Sequence, residues 1–485
     1  MLVSLSIRRT ISRYNDPLAD CFIFQIDPMK SVFTDLFFRN GHDPSVQVNT
    51  KELEFQKTKV SIHEQLIDSL NLSIVSEISH AEFAVEIRAL ASQICIERAN
   101  EIAAVDRDRM IIELMDEVFG LGPLEVLMND PEISDILVNR PQEIYIERHG
   151  RLEITDVIFA DAQHVTRIIQ RLTSRVGRRI DEVSPMVDAR LPDGSRINAV
   201  IPPLALDGPV LSIRRFGAKP LEVQDLLRRG SISKAMTDFL AAAVEARVSF
   251  LISGGTGAGK TTLLNALSSS IPDSERIVTI EDSAELQLQN RHVVRMETRP
   301  ANTEGRGEVL QRDLIRNALR MRPDRILIGE VRGPEALDML QAMNTGHEGS
   351  LSTIHANDTR EALARLEIMV KMSGLDLPIP VIRQYIGSGI RLVVHAARMK
   401  GGLRRVVRIS EISCPDGESF KVNDIFGFHQ TGVNEEGVAE GQFYTTGYRP
   451  VCLDRIRQAG VHVPEQIFEK SGSVEWESSL SGNAS

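Results

Sequence analysis

Residues 254–261 read Gly-Gly-Thr-Gly-Ala-Gly-Lys-Thr, which fills every fixed position of G-x-x-x-x-G-K-[ST]. The apolar run Phe250-Leu-Ile252 leads in, and Leu263, Leu264 and Leu267 follow at helical spacing. Strand, glycine turn and helix in that order restrict the chain to a phosphate-binding α/β core. Glycines let backbone N–H groups curl around a phosphate with no Cβ in the way. The helix N-terminus adds its dipole to the same anion site. Lys260 would bring a compact ammonium to the β- and γ-phosphate oxygens, and the Thr261 hydroxyl would ligate Mg²⁺. The expected binding residues for ATP are thus Gly254, Gly255, Thr256, Gly257, Ala258, Gly259, Lys260, Thr261 and Thr262. No other lysine lies between Lys234 and Lys371, so no neighbour in sequence can replace Lys260.

A phosphate loop of this kind needs a carboxylate at the end of a neighbouring strand, to position Mg²⁺ or the attacking water. Arg325-Ile-Leu-Ile-Gly329-Glu330 ends an apolar run in Glu330, and Thr279-Ile280-Glu281-Asp282 ends another in Glu281. Either alone could be a helix cap or a solvated edge. Beside the phosphate loop both become candidates, and the sequence does not choose between them as catalytic base; Glu330 is also the candidate metal-side carboxylate, directly or through water. The string Thr345-Gly-His347-Glu-Gly-Ser-Leu-Ser-Thr-Ile-His355 sets histidines on both sides of a short strand. Their spacing is not that of a helical zinc pair. It suits residues that sense the terminal phosphate through hydrogen bonds, so His347 and His355 join the expected nucleotide contacts.

Around these motifs, residues 219–415 alternate β-rich runs with helical stretches, the pattern of a parallel sheet covered by helices. The runs are Val248–Ile252, Ile277–Ile280, Val293–Met296, Ile326–Ile328, Leu351–Ile354, Leu392–His395 and Val406–Ile412. Residues 126–218 read as a small α+β domain: a hairpin around His149-Gly150, a helix with Val165, Ile168, Ile169 and Leu172 on one face, and an Asp193-Gly194 turn. Gly217–Gln224, with Pro220, reads as a linker. Residues 78–125 are a helical segment closed by Gly120-Leu-Gly-Pro123. Residues 1–77 carry no sustained period and are expected to be a variable, loosely structured extension, for which Met29 offers an alternative start. Residues 416–485 are expected to hold one short amphipathic helix, with Leu453, Ile456 and Val461, before a polar tail.

Composition removes several classes. Cys21, Cys95, Cys414 and Cys452 are far apart and form no CxxC pair, which speaks against a zinc ribbon or disulfide framework and for a reduced, cytoplasmic setting. No apolar run approaches the roughly 20 residues of a membrane span. A formal net charge of −11 and the lack of an aromatic-and-basic strand path argue against direct nucleic-acid binding.

The four boxes together resemble the secretion and pilus-assembly ATPases of the type II/type IV superfamily. Gly254–Thr261 is similar to Walker A, Thr279–Glu285 to the aspartate box, Ile326–Arg332 to the glutamate-bearing Walker B, and Thr345–His355 to the histidine box. Arg295-Met-Glu-Thr-Arg-Pro, Asn317-Ala-Leu-Arg-Met-Arg-Pro-Asp-Arg325 and Asn344-Thr-Gly-His-Glu-Gly-Ser350 look most like the CpaF branch, which powers tight-adherence (Flp) pili. The resemblance implies a RecA-like P-loop core preceded by a PAS-like domain. It further implies a hexamer of this chain, peripheral to the inner membrane and docked on a pilus or secretion platform protein. Arg196 and Arg214 match the positions from which the family sends arginines toward the γ-phosphate. Conjugation, DNA-uptake or pilus-retraction motors of the same superfamily would carry the same chemistry.

Overall fold

The structure is a computed structural model, and it describes residues 49–69, 79–216, 220–301 and 305–471. It begins with a bundle of three helices, Thr50–Ser69, His80–Glu97 and Arg107–Phe119. Ser79 and Glu82 open the second helix by capping each other's backbone N–H groups. Ile62 and Leu66 of the first helix are buried against Ile87, Ile94, Met110 and Leu114. The loosely structured extension is therefore corrected over residues 50–69, while residues 1–48 and 70–78 lie outside the described residues. Sequence periodicity misses this helix because its buried face also holds Gln56 and Lys59, which read as polar punctuation.

The small domain is an antiparallel sheet with one helix, Ala162–Arg175, against it. Its strands are β1 Ile133–Arg140, β2 Glu143–Arg148, β3 Arg151–Ile154, β4 Met186–Arg190, β5 Arg196–Val200 and β6 Val210–Arg214. Their spatial order is β3-β2-β1-β6-β5-β4. Asp161 caps the helix through the His164 N–H at 2.7 Å. Val165, Ile168, Ile169 and Leu172 are all buried, as their spacing requires.

The third region is a nine-stranded sheet built from β7 Phe250–Gly254, β8 Ile277–Glu281, β9 Val293–Glu297, β10 Arg325–Val331, β11 Leu351–His355, β12 Leu392–Arg398, β13 Arg404–Ser413, β14 Lys421–Val433 and β15 Ala439–Thr445. The order is β15-β14-β13-β12-β7-β11-β10-β8-β9. From β12 to β9 the pairs are parallel, and β13, β14 and β15 extend the sheet antiparallel. Alternate residues bury on opposite faces. Phe250 and Ile252 pack with Phe239 and Leu264 on one side, and Leu251 packs with Leu340 and Ile354 on the other.

All seven runs expected in this region form strands. The sheet, however, continues past residue 415. Strands β14 and β15 lie in the stretch before the short helix, where no strand is expected because Gly427, Gly432, Gly437 and Gly441 interrupt it. At Gly427 the glycine serves packing: a Cβ there would lie 2.3 Å from the Tyr444 ring, so an aromatic from β15 covers the bare backbone of β14. The short helix Leu453–Gln458 forms with Leu453 and Ile456 buried, and Val461 falls beyond its end. Of the linker, Gly217, Ala218 and Lys219 lie outside the described residues; Leu221 packs on the core and Val223–Arg228 is helical.

Candidate nucleotide site

Strand β7 lies between β12 and β11, so the loop at its C-terminal end opens above the middle of the parallel sheet, where such sheets bind ligands. Gly254 must be glycine here, since a Cβ would come 2.4 Å from the Ala396 carbonyl oxygen of β12. Gly259 sets the turn into helix Lys260–Ser268 with φ 90°, which L side chains resist. Lys260 Nζ donates to the Gly254 and Gly255 carbonyls, each at 3.1 Å. The ammonium thus rests in the mouth of the loop. Burial holds its pKa below the ordinary lysine value, with the Glu330 charge pulling the other way.

The acidic strand ends converge on the same place. Arg196, Thr261, Glu281, Glu285, Gln311, Glu330 and Arg332 are among the residues around a cavity of about 50 Å³. The two candidate carboxylates differ. Glu281 is only 3% exposed, and its Oε2 accepts from the Glu285 and Leu286 N–H groups at 2.8 and 3.0 Å. Burial pushes its pKa up to about 7, against the pull of those two bonds. Its Oε1 is buried with no protein partner. Gly329 fits against it so tightly that a Cβ would meet Glu281 Cγ at 2.8 Å. Glu330 is more accessible and pairs with Arg332 at 2.7 Å. Arg332 also approaches Asp282 at 3.8 Å, and burial raises the Asp282 pKa.

The small domain provides the opposite wall. A cleft of about 490 Å³ brings Arg196 and Arg214 together with Thr261, Thr262 and Glu285. Each arginine is held by a carboxylate of its own domain, Arg196 by Asp188 at 2.6 Å and Arg214 by Asp135 at 3.2 Å. The bond to Asp188 raises the Arg196 pKa, so that guanidinium stays charged. A third space of about 310 Å³ adjoins Ala258, Gly259 and Thr262 and is walled by Leu221, Leu226, Ile232, Leu263 and Val406.

The histidines part company. His355 pairs in register with Gly254 and stands at the loop end of the sheet. His347 precedes β11, whose first residue pairs with Phe250 at the start of β7. The structure does not bring the two histidines together: His347 precedes a turn at Glu348-Gly349 and lies before the first residue of β11, whereas His355 is its last. Three nearby groups are not among the site residues expected from the sequence. Glu285 lines both the small cavity and the cleft. His395 of β12 bonds Ser253 at 2.9 Å. Gln311 donates to the Glu330 carbonyl at 3.1 Å and leaves its own Oε1 unpartnered. Glu285 closes the aspartate box four residues after Glu281, whereas His395 and Gln311 lie far away in the chain and only the strand order gathers them.

A family model described as type II/IV secretion system protein matches residues 117–465. The chain belongs to that family. Among relatives of this type II/IV secretion system protein, a Mycobacterium tuberculosis protein named as a candidate for conjugal transfer is 40% identical over 310 residues, 63% of this chain and 88% of that one. Conjugal transfer protein TrbB of Rhizobium radiobacter is 32% identical over 336 residues, 68% of this chain and 96% of the relative. Type IV secretion system protein PtlH of Bordetella pertussis is 36% identical over 323 residues, covering 60% and 94%. Among solved structures, the VirB11 ATPase of the Brucella suis type IV secretion system aligns over 63% of this chain and 95% of that one, at 28% identity and a TM-score of 0.31. Among the described residues of this family member, no helix is long and apolar enough to cross a membrane.

Proposed function

We propose that this chain is an ATP-hydrolysing motor that works as a hexameric ring on the cytoplasmic side of a bacterial inner membrane. The observation that carries the reading is the meeting of the Lys260 loop with Arg196 and Arg214 of a separate domain across one cleft. Nucleotide bound between two domains can set the angle between them, which is how hydrolysis becomes motion.

The residues fit MgATP. The loop from Gly254 to Thr262 would wrap the phosphates, and Lys260 would leave the Gly254 and Gly255 carbonyls for the β- and γ-oxygens. The apolar space beside Leu226 and Val406 suits a base. Thr261 and Glu330, which share the small cavity, are the residues to hold Mg²⁺. When bound, that ion would neutralise phosphate charge and align the terminal group for in-line attack. Glu281 is largely engaged in holding the 285–286 backbone, which favours Glu330 as the carboxylate that orients water and accepts its proton. Arg196 and Arg214 would exchange Asp188 and Asp135 for the charge developing on the γ-phosphate, in paired N–H···O bonds.

The strings 317–325 and 344–350 favour a CpaF-like role in pilus assembly, with an inner-membrane platform protein as partner and no direct nucleic-acid contact. Relatives named for conjugal transfer support a second reading, a conjugation motor with the same chemistry. ATPase activity is the first test, with Lys260→Ala expected to abolish it. Adding increasing Lys260→Ala subunits to wild type should depress the rate by more than dilution. Strictly proportional mixing, or a fully active monomer on sedimentation in ATP, would refute the ring motor.

A further inference from the structure

Two more guanidiniums border the phosphate loop, and both lead to one carboxylate of the small domain. Arg404, the first residue of β13, donates from Nε to the Gly257 carbonyl at 2.9 Å and from Nη2 to Glu147 at 3.0 Å. Arg398, the last residue of β12, reaches the other Glu147 oxygen at 3.5 Å and donates to the Gly150 carbonyl. Glu147 lies in β2, just before the His149-Gly150 turn. That turn abuts the turn between β12 and β13 backbone to backbone: a Cβ on Gly150 would lie 2.9 Å from the Gly402 oxygen, and one on Gly402 would lie 2.9 Å from the Gly150 oxygen. The two domains therefore touch at a point where no side chain buffers them, and the charged groups beside that point end on the loop.

The geometry points to Arg404 as a positioning residue through which the small domain sets the shape of the phosphate cradle, an inference that rests on the nucleotide-binding reading above. A guanidinium is a rigid plane with its donors in fixed relation. Arg404 cannot follow a displacement of Glu147 without turning its Nε away from the Gly257 oxygen. The peptide that follows is planar and trans, so its carbonyl and N–H point in opposite directions. Holding the Gly257 oxygen outward keeps the Ala258 N–H on the inner side of the loop, where it reaches the Gly255 carbonyl at 3.3 Å and would otherwise face a phosphate. Glu147 is one carboxylate shared by two guanidiniums, so the pair carries a net positive charge beside an anion site. Movement of the small domain is thereby felt by the loop, and loop closure on phosphate by the small domain.

The test uses the full chain with Glu147→Ala, Arg404→Ala and the double variant. Amide hydrogen exchange over residues 254–262 is measured without nucleotide, and MgADP affinity by titration. Each single variant is expected to speed exchange of the loop amides and to weaken MgADP binding by up to about tenfold. In the Arg404→Ala background, Glu147→Ala should add nothing, because its effect passes through the missing guanidinium. Unchanged loop exchange in either single variant, or additive effects in the double, overturns the inference. Failure of the wild type to bind MgADP would instead remove the nucleotide reading, and the exchange measurements would still decide the coupling. Arg404 is 39% exposed at its side chain, and a thermal melt of each variant separates loss of fold from loss of positioning.

Discussion

Arg332 Nη2 stands 2.7 Å from Glu330 Oε2, so the carboxylate at the end of β10 is held by a residue only two positions on. The pair aims Glu330, and Arg332, which also lies 3.8 Å from Asp282, can turn that way when a cation takes its place. Replacing Glu330 with Gln keeps the shape and removes charge and basicity. Glu330→Gln is expected to bind MgATP within a few-fold of wild type and to lose about 10²–10⁴ in kcat. If binding collapses while kcat on saturation survives, Glu330 is chiefly a metal residue and Glu285 or Glu281 becomes the base.

Arg196 and Arg214 should act on the rate more than on affinity, because each is neutralised by its own aspartate until phosphate charge develops. Arg196→Ala and Arg214→Ala are each expected to lower kcat by about 10² or more, with a smaller change in KM. Lysine at either place should rescue only part of the loss, since it lacks the planar fork. Steady-state ATPase kinetics decide this. A rise in KM with kcat unchanged would demote them to ground-state binding.

Glu281 predicts an unusual pH response of stability. Its carboxyl holds its proton up to about pH 7 in the folded protein, against 4.5 ordinarily. Folding therefore takes up a proton between those values. The contribution is fully present below about pH 4.5 and is lost as pH rises through 7, by about 3 kcal/mol in all. Thermal melts of the nucleotide-free protein should show wild type losing ground to Glu281→Gln as pH goes from 5 to 8. Parallel pH profiles for the two proteins would contradict it.

In the helical bundle, Lys59 is fully buried and meets Glu113 at 2.9 Å and Glu117 at 3.7 Å. Glu117 also takes His164 of the small domain at 3.0 Å. Burial alone would raise the Glu117 pKa, but His164, Lys59 and Arg171 together bring it down to about 2. That stability is present above about pH 4.5 and is lost as pH falls toward 2. Lys59→Met removes the cation that Glu113 and Glu117 share, leaving Glu113 to Arg109 and Glu117 to His164 and Arg171, and should cost about 3 kcal/mol at neutral pH. Urea unfolding at pH 7 and at pH 4 would reveal it, with the smaller deficit at pH 4.

How much of this was readable in the chain depended on where each signal lay. The loop at 254–262, the carboxylates Glu281 and Glu330, and all seven core runs are local patterns, and the structure brings that loop and those carboxylates to one end of the sheet. Helix Thr50–Ser69 was not readable, because Lys59 is buried only by virtue of Glu113 and Glu117 many residues away. Strand β14 was hidden by a glycine that makes sense only beneath Tyr444. The spacing of His347 and His355 was plain, but the direction of β11 was needed to see that they stand at opposite ends of that strand. The link from Glu147 to Arg404 spans domains and has no sequence signal.

Gly254 rests against Ala396, and β7 is flanked by β12. On the ribosome, then, the loop emerges long before the strand that braces it. Strand β7 can pair with β11 earlier, but the loop at its end lacks the β12 brace until the chain through about Arg398 is made, since non-local strand pairs form late. A ribosome stalled short of β12 should display a protein that already contains every recognisable motif and yet has no braced cradle. On the nucleotide reading proposed above, nascent chains halted before β12 has left the ribosome and after it should differ in capacity to hold nucleotide.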